Sequence, residues 1–322
     1  MKWHVLQLVN NMVYNRFSDY LKNRYGSKVY KLPVNLPVSC PNRDGRISTG
    51  GCCFCGEEGA GFESLSSKLS VKEQLDGNAR YIGRNYKADK FIAYFQNYSN
   101  TYLPLSDFER YITEACLDGI VALYISTRPD CVTDSCLDFL KEIKQERNID
   151  IVLELGLQSI NTNTLKWMNR GHGVAEFIDA VLRMHQRGLE VCAHMINDVP
   201  CDSEDDVVEG AKVLSALGVE QVKCHSLYIL KGTALGTNYE RNEFKPLAMD
   251  EFVERTIKFL EYLDPKITVQ RLLGRAPVDR TLFCSWDTSW WKVQELIETK
   301  MQQEGRYQGR LFNYLGGIGY PD

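Results

Sequence analysis

The strongest constraint on the fold is an alternation of strand-like and helix-like stretches running from about residue 28 to residue 271. Lys28 to Val38 carries Val29, Leu32, Val34 and Leu36, has β character despite Pro33 and Pro37, and reads as a first strand. Ser70-Val71-Lys72-Glu73 is a capping box, and Val71, Leu75, Ala79 and Ile82 follow at helical spacing. Phe91 to Phe95 is continuously apolar, as expected of a strand buried on both faces. Ser106 is expected to cap a helix reaching Asp118, with Gly119 ending it. Strands then follow at Ile120–Ile125, Ile151–Leu155, Leu189–Ile196, Val219–Ile229 and Lys266–Arg271. Helices separate them at Thr133–Asn148, from Asn161, up to Arg187, at Ser203–Leu217 and at Met249–Leu263. Another helix precedes the first strand over residues 11–25, and Thr288–Gln303 reads as a closing helix before a Tyr/Gly-rich tail.

Such βαβ units demand a mostly parallel sheet, and right-handed crossovers curl it with the helices outside. Six units and a seventh strand fall short of eight, so the expected fold is α/β, a partial (β/α)6-type barrel open on one side. The division expected is a basic helical extension at 1–27, a core barrel at 28–235 and an extension at 236–322 completing the barrel side. Residues 236–248 are the best candidate for a mobile loop.

In barrels of this kind chemistry gathers at the C-terminal strand ends. Those ends carry Gln96 and Tyr98, Ser126 and Arg128, Gln158, Asn197 and Asp198, Lys231, and Arg271, while Glu154, His194, Lys223 and His225 lie within strands. A purely structural barrel has no need of polar groups at every strand end, so the pattern points to an enzyme. Lys223, His225, Lys231, Arg128 and Arg271 are the cations placed to neutralise a substrate carboxylate or phosphate.

The first strand delivers the chain to a Gly-rich loop with four thiols, Cys40, Cys52, Cys53 and Cys55, within sixteen residues. Thiolates crowded on such a loop are drawn together by a metal or by disulfides. The N-terminus lacks the apolar core and cleavage site of a signal peptide, which places the chain in the reducing cytoplasm and disfavours disulfides. Zinc favours four ligands, and Cys53 is an awkward fourth beside Cys52. Three thiolates on a four-iron cluster leave one iron open to a small molecule. Spacing alone leaves iron–sulfur, zinc and unligated thiols all open.

No stretch approaches the roughly eighteen apolar residues of a membrane span. The net charge of −4 hides an asymmetry, because residues 1–50 carry eight basic side chains against Asp19 and Asp44. Tyr14, Tyr20, Tyr25 and Tyr30 are interleaved with them, a combination suited to a phosphate-bearing, base-stacking partner.

Several ordered motifs resemble the radical S-adenosylmethionine (SAM) superfamily, within the branch around the Elongator catalytic subunit and, more closely, the YhcC/YtqA family. They are Ser39-Cys40-Pro41-Asn42-Arg43-Asp44-Gly45, Gly51-Cys52-Cys53-Phe54-Cys55, Thr127-Arg128-Pro129-Asp130-Cys131, Leu153-Glu154-Leu155-Gly156-Leu157-Gln158-Ser159, Asn169-Arg170-Gly171-His172 and Lys231-Gly232-Thr233. The resemblance implies that Cys40, Cys52 and Cys55 bind a [4Fe-4S] cluster whose open iron chelates SAM. Reductive cleavage would then give a 5′-deoxyadenosyl radical that abstracts hydrogen from the substrate. It further implies that Phe54 packs near the adenine, that Gln96 and Tyr98 contact SAM, and that Gln158 contacts the ribose. Arg170 would meet the carboxylate, and His194 the ribose or the substrate. Ser126 stands where many relatives have Glu, and Asp198-Val199-Pro200-Cys201 where they read Gly-Leu-Pro-Gly. The implied substrate is tRNA, with a wobble-uridine carboxymethylaminomethyl group processed towards aminomethyl. The implied partners are an electron donor such as flavodoxin or ferredoxin and a methyltransferase acting downstream. The competing readings are radical chemistry on a small metabolite and a non-enzymatic zinc or iron–sulfur binding protein.

Overall fold

The computed structural model describes residues 12–56, 64–86 and 88–317. The start of the N-terminal extension, with Lys2, and the end of the Tyr/Gly-rich tail lie outside the described residues. Seven strands form one parallel sheet in the order β1 (Val29–Val34), β2 (Lys90–Phe95), β3 (Ile120–Thr127), β4 (Asp150–Gln158), β5 (Glu190–Ile196), β6 (Gln221–His225) and β8 (Thr268–Arg271). β7 (Ile229–Leu230) and β9 (Thr281–Phe283) form a small antiparallel pair beside it. The sheet is thus the curled, open barrel that the alternation predicts.

Strand periodicity sorts the side chains. Ala93 and Phe95, Leu123 and Ile125, Leu153 and Leu155, and Val191 and Ala193 join the main core. Their neighbours Ile92, Tyr94, Ala122, Tyr124, Val152 and Cys192 form a second cluster with Leu21 and Phe17. Successive strand residues point to opposite faces, so burial of both faces gives the continuous apolar runs of the sequence. The second cluster's face also carries Lys31, Glu154, His194 and Lys223 (see below).

Several predicted boundaries hold. Ser70 Oγ accepts from Glu73 N at 3.2 Å while Glu73 Oε2 accepts from Ser70 N at 2.8 Å, closing the capping box before helix Val71–Tyr86. Thr133 and Ser203 cap the helices Asp134–Arg147 and Glu204–Leu217. Others move. The helix assigned to Ser106 starts at Leu105, behind Pro104, so Ser106 lies inside its first turn. The strand read as Val219–Ile229 breaks after His225, because the buried Asp198 carboxylate accepts Leu227 N at 2.7 Å and turns the chain. Part of the loop expected at 236–248 is helix Ala234–Glu240, and Phe244 beyond it packs edge-on against Trp167.

Helix Phe17–Tyr25 occupies the N-terminal end of the barrel. Arg24 and Tyr25 bond Asp150 at the start of β4, Tyr20 reaches Glu190 at the start of β5, and Lys90 at the start of β2 donates to Tyr25 O. Tyr14 is buried and donates to Glu298 at 2.7 Å. Tyr20 and Tyr25, read from the sequence as suited to a base-stacking partner, fasten this helix to the barrel, and Tyr14 before it is tied to Glu298.

Candidate functional site

A cavity of about 830 Å³ runs from the cysteine loop down the lumen to the gap between β1 and β8. Cys40, Cys52 and Cys55 line it, and so do Phe54, Gln96, Tyr98, Ser126, Arg128, Gln158, Arg170, His194, His225 and Arg271. Thirteen residues chosen from separated motifs therefore share one chamber.

The loop is shaped by its own backbone bonds. Arg43 N donates to Cys40 O at 2.8 Å, Gly51 N to Asn42 O at 2.8 Å, and Cys55 N to Cys52 O at 2.9 Å. Cys53 is held apart from the other three thiols. Its N–H donates to Met168 O at 3.0 Å, its carbonyl accepts from Leu235 N at 2.8 Å, and its side chain joins the apolar cluster of Met168, Ile196 and Leu235. Burial pushes its thiol up to about 12, with Cys52 and Cys201 adding to the effect. Tetrahedral zinc would lack its fourth thiolate here, whereas a cubane cluster needs only three.

Two donors converge on Cys52 Sγ: Arg170 NH1 at 3.1 Å and Asn42 Nδ2 at 3.5 Å. Arg170 is itself fixed, with NH2 donating to Gly156 O at 2.6 Å and to His172 Nε2 at 2.8 Å. Burial, together with Arg170 and Arg128, drives the His172 pKa down to about 2, so its ring is a neutral acceptor. Arg170 Nε, Arg128 NH1 and Asn42 Oδ1 are buried without partners. The two guanidinium orphans beside the thiols are donors that suit an anionic group, while the Asn42 oxygen is an acceptor left for an N–H or O–H.

The backbone is adapted to the same end. A register shift between Gly156 and Gln158 and a φ of +76° at Gln158 turn that side chain towards the cavity. A Cβ on Gly156 would lie 2.9 Å from Gln158 Nε2 and 3.0 Å from Arg170 NH2. One on Gly171, at φ +68°, would meet Ile47 at 2.7 Å and Asn42 at 2.9 Å. Tyr98 and Asn169 also take positive φ, placing four unusual conformations around the chamber.

Deeper in the lumen Glu154, fully buried, gathers five donors. Lys223 Nζ lies at 2.6 Å, Lys31 Nζ at 2.7 Å, His194 Nε2 at 2.9 Å, Tyr94 OH at 3.0 Å and Ser126 Oγ at 3.3 Å. Burial alone would raise the carboxyl's pKa, but Lys223 and Lys31 outweigh it and hold it well below the usual range. Burial and Lys223 push His194 down to about 4, against the pull of Glu154. Neutral His194 therefore donates from Nε2 and keeps Nδ1 as an acceptor. Lys31 Nζ also sits 4.4 Å and 4.3 Å from the ring centroids of Tyr94 and Tyr124. Glu154, Cys192 and His194 offer ligand atoms within 4.8 Å of one another. Two ammonium groups on the carboxylate oppose a cation there.

The cationic candidates separate. Arg128 forms a fork with Asp130 at 2.9 and 2.7 Å, so its charge is already matched. Lys231 is exposed and is not among the cavity-lining residues. Lys223 is committed to Glu154, while His225 accepts from Arg271 NH2 at 2.7 Å. Asn42 and His172 had no expected role, although both sit in the family motifs, and Lys31, counted among the basic N-terminal residues, turns into the lumen instead.

The radical SAM superfamily model matches residues 42–231, and the radical SAM C-terminal domain matches residues 219–303. The chain is 32% identical over 303 residues to YtqA of Bacillus subtilis, covering 94% of each. It is 32% identical over 159 residues to a tRNA uridine(34) acetyltransferase of Methanocaldococcus infernus, a match covering 48% of this chain and 28% of that protein. The solved structure of Methanocaldococcus infernus Elp3 superposes with a TM-score of 0.67 at 18% identity, over 87% of this chain and 64% of that one. Among the described residues, no helix is long and apolar enough to cross a membrane. With three thiols on one chamber wall, a family model over residues 42–231 and a relative 32% identical over 94% of the chain, the chain belongs to the radical SAM superfamily, in the YhcC/YtqA family, which uses a [4Fe-4S] cluster and SAM.

Proposed function

We propose that this enzyme modifies tRNA at the wobble uridine, processing a carboxymethylaminomethyl side chain towards aminomethyl. Cys40, Cys52 and Cys55 would hold the cluster, with Gln96, Tyr98, Gln158 and Arg170 on SAM and Phe54 beside its adenine. When bound, the pair supplies a 5′-deoxyadenosyl radical for hydrogen abstraction. The protein's own contribution is to orient and to exclude water. His172 and Gly156 O aim the Arg170 guanidinium, and His194 presents a neutral Nδ1 acceptor to the lumen.

The observation that carries the reading is the cavity's lateral mouth. Arg16, Lys28, Tyr30, Arg275 and Trp290 line the cavity on the side of the edge strands β1 and β8, with Arg16 paired to Glu298 at 2.7 Å and the Arg275 guanidinium 4.3 Å from the Trp290 ring centroid. Basic and stacking groups at the entrance of a chamber this size suit an unstacked base carried on a phosphate backbone. The kinship to a tRNA uridine(34) acetyltransferase supports the same substrate class. Nucleoside analysis of tRNA from a deletion strain tests it. A rise in carboxymethylaminomethyluridine with loss of its aminomethyl products is expected, and an unchanged wobble-uridine profile refutes the proposal.

A further inference from the structure

Three cations and one carboxylate meet in the lumen. Lys31 and Lys223 share Glu154, and Arg271 faces the same cavity from the end of β8. Burial lowers the pKa of both lysines, while the carboxylate they share favours their charged forms. Arg271 has no carboxylate among the described residues. Its NH2 donates to His225 Nδ1 at 2.7 Å, and its Nε is buried without a partner. His225 cannot balance it, because burial and Arg271 itself hold that imidazole well below its usual pKa and so neutral. His194, 5.2 Å from His225 ring to ring, is neutral too. A half-buried guanidinium without a counter-ion is a costly arrangement unless a ligand supplies the anion. The other arginines of the chamber differ: Arg128 is matched by Asp130 and Arg16 by Glu298, Arg43 donates to Cys55 O and Gly56 O, Arg170 is turned to Cys52, and Arg275 is exposed over Trp290.

We propose that Arg271, steadied by His225, is the anchor for a carboxylate borne by the substrate. The guanidinium fork suits a planar carboxylate, and the neutral imidazole fixes its orientation without competing for the anion. This rests on the lumen being the substrate chamber, and it explains how a side chain ending in a carboxylate would be told from one ending in an amine. An amine placed there would meet the like charge of Arg271.

The test compares reconstituted wild type with Arg271→Gln and Arg271→Lys. Acetate and inorganic phosphate are titrated while the thermal midpoint is read, with chloride as the ionic-strength control. Acetate is expected to raise the wild-type midpoint above the chloride control. That rise should vanish in Arg271→Gln and shrink in Arg271→Lys, which keeps the charge but loses the fork. Protection of Arg271→Gln equal to wild type, no acetate effect on wild type, or protection by phosphate alone would each overturn the proposal. SAM affinity should be unchanged in both variants, and its loss would reassign Arg271 to the cofactor. Should Arg271→Gln fail to fold, Arg271→Lys carries the test. The parent reading is followed separately by 5′-deoxyadenosine released from SAM and dithionite without substrate. Its absence from wild type would sink the radical chemistry and leave the acetate result standing.

Discussion

Replacing Glu154 by Gln removes one negative charge and leaves two ammonium groups facing each other across a neutral amide. Wild-type Glu154 has no exposed side-chain surface and receives Lys223 at 2.6 Å and Lys31 at 2.7 Å. Breaking a buried pair from one side costs about 3–5 kcal/mol, because the abandoned charge stays desolvated. The loss should depend on pH in a defined sense. A lysine whose folded pKa falls below its unfolded value of about 10.4 binds fewer protons folded than unfolded, so stability rises with pH through that window. In the variant the depression deepens, so the deficit is expected to be largest near neutrality and to narrow towards alkaline pH. In wild type the carboxyl, held low, contributes above its unfolded pKa and is lost as pH falls through its folded one. Urea unfolding of the apoprotein across neutral to alkaline pH measures this directly. Adding Lys31→Met to Glu154→Gln should restore part of the loss. A deficit below about 1 kcal/mol, the size of an exposed pair, or one flat with pH, would refute the account of the lumen.

Two further outcomes follow from the loop and the fourth strand. Cys53→Ser should retain the iron–sulfur absorbance and SAM cleavage after anaerobic reconstitution, whereas Cys52→Ser should lose both; loss in Cys53→Ser would restore a four-thiol site. Gly156→Ala places a methyl 2.9 Å from Gln158 Nε2 and 3.0 Å from Arg170 NH2, both ends of flexible side chains. SAM affinity by equilibrium dialysis should fall at least about tenfold, for displaced charge-assisted bonds, with little change in the urea midpoint.

The sheet was readable because βαβ periodicity and caps such as Thr133 and Ser203 act locally. The cysteine loop was readable because its thiols lie within sixteen residues, and Arg170 because it sits in the contiguous motif Asn169-Arg170-Gly171-His172 that carries the family resemblance. Lys31 was not. A lysine in an alternating strand looks solvent-facing, and its carboxylate partner lies 123 residues away. The tyrosines of the basic N-terminal stretch misled for a related reason, since composition cannot show that Asp150 and Glu190 already hold Tyr25 and Tyr20. The break after His225 depended on Asp198, 29 residues earlier, reaching Leu227 N. In each case the deciding contact was non-local.

The segment before helix Phe17–Tyr25 has a consequence for how the molecule is assembled. Asn15 O accepts from Val269 N at 2.8 Å, and Val13 O from Gln308 N at 2.9 Å. Gln308 Oε1 receives Asn15 N across 293 residues. The helix at the barrel's N-terminal end is thus tied, through the residues before it, to β8 and to Gln308, both far from it in sequence. A chain truncated before Gln308 would lose the ties to that residue while keeping the bonds of Arg24, Tyr25 and Tyr20 to β4 and β5, so the helix has two independent sets of anchors.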